Sequence, residues 1–229
     1  MAVTLTPYFD RTARNERQPA GCPPPLRHTI HIKDGSQPQS RVFAYVEREL
    51  PPGGIPAYRA ARKAGARSFV LWADERREQQ LARLVTQSAH GGRTTYQVLD
   101  AHGQITGTIT RRNAFRGGGL RTRWTVAQPG GPEAVGYKGR LFWWLVCWLM
   151  SPLLPLFLIG ALFENGDLPR APRRVTWRAG GRTVMVHKPS SEAVLLHPPE
   201  PDPRVGAALA ALLLSFKGWY GTSWDDRKE

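Results

Sequence analysis

Cysteine is nearly missing from this chain of 229 residues: only Cys22 and Cys147 occur, one in a Pro-rich stretch and one inside an apolar run. Two thiols so placed form no disulfide framework, so a reducing compartment is the expected setting. Catalytic signatures are missing too. No G-x-S-x-G, P-loop or dinucleotide fingerprint occurs, and Gly117-Gly118-Gly119 is not followed by the Gly-Lys-Ser/Thr that a phosphate loop needs. No catalytic residue and no cofactor site can therefore be named, and the chain reads as non-enzymatic. Metal-ligand patterns are equally thin. Cys22, His28 and His31 lack a fourth ligand, and HPPEPDPR offers only Glu200 and Asp202 as hard oxygen donors. The opening residues hold no apolar core of a secretory leader, which predicts that the bulk of the chain stays cytoplasmic. Carboxylates are scarce: 18 acidic residues face 32 basic ones, a formal charge of +14, and nearly all the basic residues are Arg. Such a surplus favours anionic partners, namely acidic lipid headgroups, nucleic acid or acidic proteins.

What is present is a pattern of short alternating runs broken by turns. Residues 1–40 are rich in Arg, Pro, Gln and Ser without periodicity, which predicts a disordered basic arm, with LRHTIHIKDG as one short strand within it. RVFAYVEREL (41–50) reads as a strand, and a short helix fits 57–64. From Ser68 onward hairpins repeat: SFVLWADERREQQLARLV, TYQVLDAHGQITGTIT, RWTVAQPGGPEAVGYKG, VTWRAGGRTVMVHK and then SEAVLLHP. Asp, Gly and Pro supply the turns, so an antiparallel meander is expected. ADERREQQLARLVTQ also carries helix-type i,i+4 charge pairs, but its neighbours favour a strand pair. Near the end, Asp202 can cap a helix, Pro203 fits its first turn, and Val205 to Phe216 is apolar on every face apart from Ser215. Twelve residues fall short of the roughly twenty that cross a bilayer. A helix apolar all round must be buried all round, so Val205, Leu209, Leu212, Leu213 and Phe216 are expected in a core enclosed by sheet. The division that follows is an arm (1–40), a β-barrel domain (41–217) with a hydrophobic insert at 141–163, and a polar, aromatic tail (218–229).

YQVLDAHGQITGTITR (96–111), RWTVAQPGGPEAVGYKG (123–139) and DPRVGAALAALLLSF (202–216) together resemble the tubby-like barrel superfamily, which includes the LURP-one-related proteins and the phospholipid scramblases. The resemblance implies a mainly β fold: a meander of about twelve strands closing around a C-terminal apolar helix. It also implies lipid binding. The acidic calcium segment of scramblases has no counterpart beyond Glu200 and Asp202, so the resemblance does not extend to scrambling.

The insert LFWWLVCWLMSPLLPLFLIGALF (141–163) is uncharged. It has three readings: a single transmembrane helix, a hydrophobic hairpin, or a buried helix pair in the core. The hairpin is favoured, because Pro152 and Pro155 break a helix near the middle. Trp143, Trp144, Trp148 and Phe157 would then enter the lipid interface. Lys138 and Arg140 precede the run, and Arg170, Arg173, Arg174 and Arg178 follow it. These six are the candidate contacts to acidic headgroups at the cytoplasmic side of the membrane. The competing reading is a soluble basic module that binds nucleic acid or an acidic protein.

Overall fold

The computed structural model describes residues 2–9, 25–35, 39–114, 121–138, 174–198, 201–216 and Trp224. Twelve strands form a closed antiparallel barrel in simple meander order. They are β1 (Val3–Phe9), β2 (His28–Lys33), β3 (Arg41–Arg48), β4 (Phe69–Trp72), β5 (Gln80–His90), β6 (Arg93–Leu99), β7 (Ile105–Arg112), β8 (Arg123–Ala127), β9 (Ala134–Lys138), β10 (Val175–Ala179), β11 (Arg182–Lys188) and β12 (Ala193–Leu196). Helix α1 (Gly54–Lys63) lies between β3 and β4, and α2 (Pro203–Ser215) follows β12.

The local chemistry of the hairpins explains the meander. Along β6, Thr94, Tyr96 and Val98 are buried while the residues between them are not, the period-two pattern of a strand with one wet face. After β6 the chain turns because the Asp100 carboxylate accepts from the N–H groups of His102 (2.8 Å) and Gln104 (2.9 Å), with Gly103 at φ 77°. Between β10 and β11, Gly180 and Gly181 both take positive φ, as a tight two-residue hairpin requires. Closure comes from β1 against β12, where Val3 faces Leu196 and Leu5 faces Val194. A closed barrel leaves no strand edge open to other chains.

Helix α2 fills the lumen. Asp202 caps it by accepting from the Arg204 N–H at 2.8 Å. Val205, Leu209 and Leu212 are fully buried. The helix touches β1 and β12 on one side and β5 and β7 on the other. Leu213 and Phe216, at its far end, are half-buried. The expectation of an apolar helix enclosed by sheet therefore holds. Helical glycine fits too: a Cβ on Gly206 would come within 2.7 Å of Leu5 Cδ1.

One expectation changes. The arm assigned to 1–40 contains β1 and β2, so the barrel begins at Val3 and not at residue 41. The physical reason is long-range pairing: β1 is stabilised by β12 from the other end of the chain, and composition averaged over a Pro- and Arg-rich window hides its alternation. Residues 10–24 lie outside the described residues. Within the tail, Trp224 packs on the barrel: its indole N–H donates to the Ala211 carbonyl (3.0 Å) and its ring lies against His28 and Phe69. In the ambiguous segment the strand reading holds. Residues 73–79 form a turn in which Asp74 accepts from the N–H groups of Glu78 and Gln79, and β5 follows.

Candidate functional site

A meander places the ends of odd-numbered strands at one rim, called the upper rim here, and their starts at the other. Helix α2 enters from the lower rim, where Asp202 N–H reaches Gln128 Oε1 (3.4 Å), and ends at the upper rim. There its last carbonyls meet two guanidinium groups. Arg62 donates to the Ser215 carbonyl (3.0 Å). Arg67, 5% exposed, donates through Nε to Ser215 Oγ (3.0 Å) and through its terminal nitrogens to the carbonyls of Arg62, Ala66 and Ser215. Cations at a helix C-terminus complement its dipole.

Of the predicted headgroup contacts, Lys138 ends β9 and Arg174 precedes β10, both exposed at the upper rim. Lys138 faces Val175 in the β9–β10 register, and its N–H donates to the Thr122 carbonyl (2.9 Å). The chain that carries the insert thus leaves and returns at one point of the upper rim. Arg178 is set apart from them. It is exposed beside Val135 and lies toward the Gly180–Gly181 turn of the lower rim. Arg140, Arg170 and Arg173 lie outside the described residues, as do Trp143, Trp144, Trp148, Pro152, Pro155 and Phe157 and with them the helical hairpin.

Register sets out a row of arginines of which the sequence already groups Arg112 and Arg123, with Arg111, Arg116 and Arg121, across one turn, as a solvated surface or a headgroup contact, and leaves out Arg93. Arg93 on β6 faces Arg112 on β7, which faces Arg123 on β8, which faces Tyr137 on β9. All four side chains are on the outer surface, and the Arg121 guanidinium lies 4.8 Å from the Tyr137 ring centroid. Like charges directly opposite one another oppose folding. Elsewhere the protein pairs its arginines: Arg77 with Glu47 (2.9 Å), Arg83 with Glu49 (2.6 Å) and Arg204 with Asp202 (2.7 Å). Among the described residues no carboxylate pairs with Arg93, Arg112 or Arg123. Arg93 enters the row because it and Arg112 flank one hairpin, as Arg112 and Arg123 flank the next.

The neighbouring row, one residue along each strand, points inward: Thr94, Arg111 and Trp124. The Arg111 Cζ lies 4.2 Å from the Phe216 ring centroid and 5.8 Å from that of Trp124, and Arg67 Cζ lies 4.6 Å from the same Phe216 ring. The Tyr96 hydroxyl donates to the Gly65 carbonyl at 2.7 Å. Burial, outweighing the nearby Arg67 and Arg111, raises the Tyr96 pKa above its ordinary value. Burial also lowers that of Arg111, with Arg67 adding to the effect and Tyr96 opposing it.

Upper-rim arginines therefore include Arg48, Arg62, Arg67, Arg111, Arg112 and Arg123, beside the carboxylates Glu49 and Glu192, while the lower rim holds the carboxylates Asp34, Asp74, Asp100, Glu133 and Asp202 among basic residues. No group of three metal-type ligands occurs among the described residues. His28 lies against Phe9 and Trp224, whereas His31 bonds Thr29 on the outer face, so the two do not converge. Asp202 is engaged in capping α2 and pairing with Arg204. No helix among the described residues is long and apolar enough to cross a membrane. The chain matches no protein-family model, no curated protein and no solved structure.

Proposed function

We propose that this protein is a non-enzymatic, membrane-associated barrel of tubby-like type that rests its upper rim on an acidic lipid surface at the cytoplasmic side, with residues 141–163 inserted as a hydrophobic hairpin. The observation that carries the reading is the Lys138–Val175 pairing: the apolar insert departs and returns at the rim where Arg93, Arg112 and Arg123 gather, none with a carboxylate partner among the described residues. Each Arg near an anionic surface contributes about 1 kcal/mol, and the apolar run supplies the rest of the anchorage. A single crossing fits poorly. Residues 164–173 would have to return through hydrocarbon with Glu164, Asp167, Arg170 and Arg173, each charge costing about 2.5–3.5 kcal/mol or more.

Vesicle flotation of the full chain tests this, using neutral phosphatidylcholine vesicles and vesicles that also contain phosphatidylserine. The full chain should float with both and more completely with the acidic ones. Deletion of 141–163 should leave weak, salt-sensitive binding to acidic vesicles. Adding Arg93→Gln, Arg112→Gln and Arg123→Gln to that deletion should remove the remainder. A full chain that stays unbound to both vesicle types sinks the proposal and turns attention to the phosphates of nucleic acid.

A further inference from the structure

We propose that Arg111, at the upper mouth of the barrel lumen, binds a single oxyanion, a phosphate or carboxylate group, through its N–H donors. The proposal goes beyond the membrane reading, because this guanidinium faces inward while the headgroup row faces out.

The argument starts from what Arg111 does not do. A guanidinium has five N–H donors in a rigid planar fork. Arg67 uses its own on Ser215, Arg62 and Ala66. Among the described residues the donors of Arg111 meet no acceptor. Its contacts are with ring faces, Phe216 and Trp124, and these occupy no N–H. None of these nitrogens is both buried and unbonded, so the fork stays accessible to an incoming acceptor.

Charge sharpens the point. Arg67 and Arg111 sit over the same Phe216 ring, so two cations share a partly buried site. Tyr96 does not offset their charge: its hydroxyl donates a hydrogen bond to the Gly65 carbonyl and holds its proton more tightly than an ordinary phenol. At neutral pH it supplies no negative charge. A barrel that required only packing here would be served by Met or Leu, which fills the space between Phe216 and Trp124 without a desolvated charge. An oxyanion restores the balance. It accepts from the Arg111 fork bidentately and lies in the combined field of two guanidinium groups. Phe216 and Trp124 hold the fork in place, which lowers the entropic cost of binding.

The test is thermal unfolding of the full chain in detergent, in sodium phosphate against sodium chloride at equal ionic strength, and separately with dihexanoylphosphatidic acid below its micelle concentration. The wild type should show a saturable rise in Tm. A response to inorganic phosphate identifies a free oxyanion as sufficient, whereas a response to the short-chain lipid alone assigns the site to a headgroup phosphate. Arg111→Met should lose the response while keeping or raising the ligand-free Tm. Arg111→Lys, which keeps the charge but not the fork, should weaken binding at least tenfold and covers the case in which the Met variant does not fold. Arg182→Gln, exposed at the lower rim, should respond like wild type. No saturable rise with either ligand overturns the proposal, as does an equal response from wild type and both Arg111 variants, or a loss confined to Arg182→Gln. The vesicle result and this one are separable, since the flotation variants leave Arg111 in place.

Discussion

Lys138 and Val175 face each other across β9 and β10, although residues 139–174 lie between them in sequence. The barrel register therefore bridges the insert without help from it. Replacing 139–174 by Asn-Gly, which would join the two strands much as Gly180–Gly181 joins Ala179 to Arg182, should give a folded, detergent-independent barrel. Far-ultraviolet circular dichroism should retain its β signature, with Tm within a few degrees of the parent. Failure to fold would instead favour the reading in which 141–163 belongs to the core.

The enclosed helix supplies a second comparison. Leu209 is fully buried and Leu213 half-buried at the upper end. Leu209→Ala should cost about 2–5 kcal/mol in denaturant unfolding, the range for a filled core site. Leu213→Ala should cost roughly 1–2 kcal/mol, because less of its surface leaves water on folding. Equal losses would mean that the helix is not enclosed in the way described.

Gly136 sits where β9 passes under β10. A Cβ there would approach Val175 Cγ1 to 2.8 Å and the Trp177 ring to 3.0 Å. Both neighbours are buried, and a β-branched chain and an indole yield little. Gly136→Ala should therefore destabilise by about 1–3 kcal/mol through overpacking. Gly131→Ala is the control: its nearest atom is the Gln128 carbonyl oxygen at 3.7 Å, and the change should fall within about 0.5 kcal/mol of zero.

Acid should weaken one identifiable contact. Burial raises the Glu49 pKa, but hydrogen bonds from Arg83 and Ser68 and the Arg83 charge outweigh it, leaving the carboxyl below its ordinary value of 4.5. A depressed folded-state pKa stabilises the fold above the unfolded value, and that contribution disappears as pH falls through the folded value. Urea unfolding should thus show Glu49→Gln less stable than wild type at pH 7 by a few tenths to 1 kcal/mol, as expected of a partly exposed pair. The gap should narrow below pH 4.5. A gap independent of pH would show that the loss comes from packing rather than charge.

The hairpins were legible in the sequence because their causes are local. YQVL-DAHGQ-ITGTIT carries both its alternation and its turn within fifteen residues, and Asp100 organises that turn by bonding N–H groups two and four positions ahead. Helix α2 was legible for the same reason, since cap, proline and apolar run are contiguous. β1 was not, because its partners are remote: β2 lies beyond residues 10–24 and β12 at the far end of the chain. Composition windows do not register such a partner.

The candidate site divides along the same line. By itself the sequence determined that this is a basic chain of β-hairpins with one apolar insert and one all-apolar helix, because net charge, turn residues and hydrophobic runs are properties of neighbours along the chain. Tertiary structure decided which arginines act together. Arg111 and Arg112 are adjacent in sequence yet face opposite sides of the sheet, the first toward Phe216 and the second toward Arg93 and Arg123. A strand's side chains alternate, so a single step of register moves a charge from the lumen to the surface, and that register is set by the closing of the whole barrel.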